Sequence, residues 1–192
     1  SVGMWAAGYL IAPDFMANIE FVHFGRVRPM HVNAVLFGFV TPALLAAAFY
    51  YFPRLLRTEL FSHKLGVFSA IFWNITVAAG MIGVSTGHTQ GREYAELPWP
   101  VDIMVVISFS LVVINLLMTI RQREERVLYV SIWYTTAAVV LTSVTYCLGN
   151  VIWKPDTGAL VGIPDAILLW FYGHNIFGLL LTPMALGVAY YV

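Results

Sequence analysis

Two histidines stand where a membrane offers an imidazole no hydrogen-bond partner. His174 lies in Tyr172-Gly-His-Asn175, inside a stretch that is otherwise apolar from Ala166 to Val192. His31 opens another apolar stretch, in Arg26-Val-Arg-Pro-Met-His-Val-Asn33. An ionisable residue at that depth is costly and points to function. Two imidazoles on separate helices suggest a bound metal or haem, because neutral imidazole is a ready metal ligand. Arg26 and Arg28 add guanidinium groups of the kind that bind carboxylates such as haem propionates. The alternative for His31 is an interfacial histidine bonded to water or a carbonyl. For His174 the alternative is a bond to a neighbouring helix. Gly91-Arg-Glu-Tyr-Ala-Glu96 is the third group of interest. Glu93 and Glu96 suit a hard cation such as calcium, or propionic acids; the alternative is a solvated loop.

The elements that must position these groups follow from composition. The chain is 60% hydrophobic and 10% charged, with a mean hydropathy of +0.80, whereas soluble domains carry about 25% charged residues. An all-α, polytopic transmembrane bundle is expected. Five full spans are predicted, over Met30–Phe52, Leu65–Thr86, Val101–Ile120, Val127–Gly149 and Ala166–Val192, with a partial one over Val2–Ala12. Absence of repeats and linkers makes residues 1–192 one membrane domain. Its apolar start at Ser1 and uncharged end at Val192 read as cuts, so a fragment truncated at both ends is expected. The net charge of zero gives no sign of a nucleic-acid partner, and the single Cys147 cannot form an internal disulfide.

Loop charge predicts orientation. Arg54, Arg57 and Lys64, and then Arg121, Arg123 and Arg126, mark two cytoplasmic loops; Arg26 and Arg28, Arg92, and Lys154 mark the sparser outer ones. His31 then lies just inside the outer end of its helix, with Pro29 in the first turn. His174 lies about 12 Å into its own. All the unusual polar groups gather in the outer half.

The remaining polar residues read as ordinary. Asp102 and Asp165 sit at helix starts, where a carboxylate favours the dipole. His23, His63 and His88 fall in loops and are expected to touch water. Asn74, Thr76, Thr142 and Thr145 are expected to bond between helices. Most aromatic side chains are expected to face lipid, and Trp99-Pro100 to anchor a helix start.

Taken together, Phe24-Gly-Arg-Val-Arg-Pro-Met-His-Val-Asn-Ala34, Gln90-Gly-Arg-Glu-Tyr-Ala-Glu96 and Trp170-Phe-Tyr-Gly-His-Asn175 with Asp165 resemble the catalytic subunit of cbb3-type cytochrome c oxidases, the C-family haem–copper oxygen reductases. The resemblance implies about the first six helices of a twelve-helix fold. It implies that His31 is an axial ligand of low-spin haem b and that Arg28, and more weakly Arg26, lie at haem propionates. It makes His174 a ligand of the copper CuB, and Glu93 and Glu96 an acidic loop at the propionates and a calcium. The high-spin haem b3, its ligand, the other copper histidines and a cross-linked tyrosine, which Tyr172 is not, are implied downstream. The chain alone is therefore not expected to reduce oxygen. Implied partners are c-type cytochrome subunits, cytochrome c as donor, oxygen and the lipid of a bacterial inner membrane, with coupled proton translocation. Nitric oxide reductases are the nearest alternative, but their iron site wants a glutamate one turn after His174, where Gly178 stands. A non-redox transporter or structural bundle is the alternative from another class; it predicts broken helices and inverted repeats, which are absent from the sequence.

Overall fold

The computed structural model describes residues 2–16, 18–151 and 162–192. Among the described residues, six longer helices follow one another: α1 (Val2–Ile11), α2 (Phe24–Leu56), α3 (His63–Ser85), α4 (Trp99–Arg121), α5 (Val130–Val151) and α6 (Ile163–Ala189). Among the described residues, the last five are long and apolar enough to cross a membrane. The all-α bundle expected from composition is what forms. Lys154, used above for orientation, lies outside the described residues.

Capping decides where the spans begin. The His23 ring accepts the Gly25 N–H at 3.3 Å, so α2 starts at Phe24 rather than Met30. Arg26 and Arg28 are therefore on the helix, not ahead of it, and Pro29 lies inside it. At that outer end Pro29 forgoes only the bond to the Gly25 carbonyl. His31 consequently sits about 10 Å along α2, deeper than expected. Likewise α6 starts at Ile163, after Gly162 with φ 76° and with Pro164 in its first turn, which puts His174 about 16 Å along. Ser62 caps α3 through its hydroxyl, which accepts the Leu65 N–H at 3.1 Å.

Helices α1 and α2, α2 and α3, α3 and α4, α4 and α5, and α5 and α6 pack as neighbours, and α2 also meets α6. Lipid is as apolar as a protein core, so polar and close-packed contacts hold such helices together. The Trp73 indole N–H on α3 donates to the Phe37 carbonyl on α2 at 2.7 Å. Tyr51 on α2 shares a hydrogen bond with the Thr135 hydroxyl on α5. Asn115 on α4 donates to the Ser62 carbonyl at 3.0 Å and accepts its N–H at 3.1 Å. Of the residues expected to bond between helices, Thr76 does reach Ser108, at 3.4 Å. Asn74 instead donates to the Ala70 carbonyl of its own helix, because its side chain faces outward. Some aromatic side chains are exceptions to the lipid-facing expectation. Tyr51, Tyr146, Tyr172, Phe109 and Trp73 are all buried, since their rings fill the interhelical space.

Among the described residues, three of the spans carry a π-helical turn: Leu36–Val40 in α2, Cys147–Val151 in α5 and Ile176–Leu181 in α6. Each widens the helix by one residue, and such turns gather at functional sites. Here they follow Asn33, Tyr146 and His174 closely.

Candidate functional site

The connection between α3 and α4, residues 86–98, is exposed at its start and turns its later part into the mouth of the bundle. Gly91 with φ 68° and Tyr94 with φ 62° turn it inward, and the Ala95 N–H closes onto the Arg92 carbonyl at 2.9 Å. Ala95, Glu96 and Leu97 are buried as a result. From there the segment reaches four helices. Glu93 pairs with Arg28 on α2 at 2.5 Å. Glu96 accepts from the Asn33 amide, also on α2, at 3.0 Å. Gln90 donates to Asp102 on α4 at 2.5 Å. Arg92 donates to the Gly149 carbonyl on α5 at 2.7 Å and pairs with Asp165 on α6 at 2.9 Å.

Thus the structure joins Arg28 to Glu93 and sets Glu96 beside the same helix, as one acidic and basic group at one end. The two glutamates differ in kind. Glu93 keeps 43% of its side chain exposed, whereas Glu96 is 4% exposed, so the solvated-loop alternative fails for Glu96. Arg26 points elsewhere. It pairs with Glu20 at 2.7 Å and donates to the Ser85 carbonyl at 2.9 Å.

His31 is half-buried, and its ring lies in a cradle made by Gly3 of α1. A Cβ at Gly3 would stand 2.7 Å from the ring Cε1 and 3.0 Å from Nε2. His31 makes no hydrogen bond among the described residues, so neither ring nitrogen is committed to a protein partner. That fits an axial imidazole.

His174 is exposed on α6, with no hydrogen-bond partner among the described residues. Trp170 and Phe177, 53% and 43% exposed, share that face. Gly178, one turn on, leaves open space next to the ring; a Cβ there would be 3.9 Å from Nε2. Tyr172 and Gly173 turn to the opposite side and are buried. The Tyr172 hydroxyl donates to the Tyr94 carbonyl at 2.9 Å, which fixes the rotation of α6 and so the direction of His174. The structure does not gather His31 and His174 into one site. Among the described residues, no three His, Cys, Asp or Glu side chains form a metal-binding group.

Several residues of the site were missed. Asp102 and Asp165 are not simple dipole partners. Asp102 is fully buried and accepts from Tyr146 at 2.7 Å as well as from Gln90; Asp165 pairs with Arg92 because α6 starts beside the loop. Asn33 and Gln90 were also passed over. A polar side chain within or next to an apolar span was the available signal for each.

The protein family described as Cytochrome C and Quinol oxidase polypeptide I matches residues 1–192. The cbb3-type cytochrome c oxidase subunit CcoN1 of Stutzerimonas stutzeri is 32% identical over 194 residues, 99% of this chain and 41% of that protein. Cytochrome c oxidase subunit 1 of Rhodobacter capsulatus is 35% identical over 185 residues, 91% of this chain and 35% of that protein. The cytochrome c oxidase subunit 1 homolog of Agrobacterium tumefaciens (strain T37) is 36% identical over 199 residues, 99% of this chain and 36% of that protein. The chain spans less than half the length of these relatives.

Proposed function

Because this chain belongs to the cytochrome c and quinol oxidase polypeptide I family, we propose that it is part of a cbb3-type terminal oxidase that reduces oxygen to water with electrons from cytochrome c. The observation that carries this reading is His174. An imidazole serving only to tie helices together would have a partner in the bundle, and His174 has none among the described residues. It stands free on α6, aimed by the Tyr172 bond behind it. Gly178 supports copper over the non-haem iron of a nitric oxide reductase, because iron in such a site wants a carboxylate where this glycine leaves only space.

Haem b, haem b3 and copper would supply the electron path and the oxygen-binding centre. The residues of this chain would hold and orient part of this set. His31 would hold the iron of low-spin haem b from its Gly3 cradle. Arg28, paired with Glu93, would meet the propionates, and Arg26, turned to Glu20 and the Ser85 carbonyl, would do so more weakly. His174 would give CuB one imidazole; among the described residues no further His, Cys, Asp or Glu side chains gather with it into a three-ligand group. Glu93 is the better calcium ligand, because Glu96 is turned inward by Asn33. The partners are c-type cytochrome subunits in a bacterial inner membrane, with the loop over residues 86–98 on the outer side and protons moved in step with oxygen reduction.

The test is the His174→Ala variant of the whole oxidase. The low-spin haem spectrum should persist while copper and oxygen consumption are lost. Retained turnover overturns the assignment.

A further inference from the structure

Asp102 has no part in the metal sites, yet it is the most enclosed acid of the described residues, at 0% exposure. Its surroundings come from three directions. Gln90, from the loop, donates to Oδ2 at 2.5 Å. Tyr146, on α5, donates to Oδ1 at 2.7 Å. Arg92 of the loop and Tyr172 of α6 also act on it through space, and Glu96 acts on its partner Tyr146. No ion pair to Asp102 exists among the described residues: Arg92 is given to Asp165. The carboxyl is thus held by two neutral donors and no cation.

A carboxylate that only stapled the loop to α5 could be an asparagine. What the acid adds is a choice between two protonation states in one set of heavy-atom positions. As an anion it accepts from Tyr146 and Gln90. With a proton on Oδ1 it donates to the Tyr146 oxygen, and the phenol turns its own hydrogen out of the pair. The Gln90 bond to Oδ2 is unchanged in both states, because a carboxylic acid keeps an acceptor oxygen. One proton is gained or lost, the phenol hydrogen turns, and no heavy atom moves. The nearest surface is the loop, where Thr89 and Gly91 are exposed on either side of Gln90.

We propose that Asp102 is a proton-binding site of this membrane domain, taking up and releasing one proton across its bond to Tyr146. Its use in proton movement rests on the oxidase reading; its existence does not. Infrared difference spectroscopy of the purified whole protein tests it, by stepping pH and, separately, haem redox state. Wild type should show a protonated-carboxyl C=O band that appears with falling pH and shifts in deuterium oxide. That band should be lost in Asp102→Asn while the haem spectrum stays. Tyr146→Phe, which removes the partner and keeps the acid, should move the band, and it serves if Asp102→Asn fails to accumulate. A band unchanged in either variant, or no titrating band at all, overturns the proposal. A pH-dependent band that ignores redox state keeps the site and removes it from oxidase chemistry. A missing haem spectrum in wild type defeats the oxidase reading alone.

Discussion

Gly149 on α5 and Tyr172 on α6 meet so closely that a Cβ at Gly149 would lie 2.5 Å from the Tyr172 Cβ. Gly149 also gives its carbonyl to Arg92, so neither helix can yield without disturbing the loop. Gly149→Ala is expected to cost about 1–3 kcal/mol, the usual effect of overpacking. A lowered thermal midpoint in detergent checks this. An unchanged midpoint would show that α5 and α6 have slack at this contact. Tyr172 precedes His174 by two residues, so copper content should fall with stability.

Two ion pairs in the same loop should behave differently. Arg28 and Glu93 are each 43% exposed, and water screens them. Glu93→Gln should change stability by no more than about 1 kcal/mol. Arg92 and Asp165 are 11% and 26% exposed. Arg92→Ala strips the Gly149 carbonyl and Asp165 of their partner at once and should cost about 2–4 kcal/mol. Denaturation midpoints of the two variants side by side decide it; equal losses would refute the ranking.

Gly3→Ala tests the cradle of His31. The added methyl would stand 2.7 Å from the ring, so the imidazole must turn. Low-spin haem absorption and reduction potential should shift while α1 still folds, since alanine favours a helix over glycine. An unaltered haem spectrum would show that the iron is not on His31.

Trp73→Phe removes the donor that satisfies the Phe37 carbonyl, at a buried contact between α2 and α3. The carbonyl belongs to the π turn of α2. A loss of about 1–3 kcal/mol is expected, from an acceptor left unpaired. A midpoint within error of wild type would mean that the turn has found another donor.

The number and rough extent of the spans could be read from apolar runs and turn residues, because the membrane demands length and hydrophobicity. The face each helix turns inward could not. Tyr50 and Tyr51 are adjacent and alike, yet one is 54% exposed and the other 1%. Phe37 is 3% exposed and Phe39 72%. Lipid and protein interior are equally apolar, so residue type does not mark the buried side. The histidines were legible as outliers in such a background. Their surroundings were not, since Arg92 and Asp165 are far apart in the chain and only the loop's inward turn brings them together. Asp102 was misjudged for the same reason: a carboxylate at a helix start has a sufficient local explanation, and Tyr146 comes from another helix.

The π turn of α6 has one more consequence. One extra residue advances a helix by about 100° around its axis. Leu180 and Met184, fully buried, anchor the helix within and beyond the turn, while His174 projects before it. The two halves of α6 are therefore out of phase with a single regular screw. Azimuth at the imidazole and grip at the anchor are set separately. Restoring an unbroken helix by deleting one residue of Ile176–Leu181 would leave either the anchor seated or the imidazole aimed, but not both.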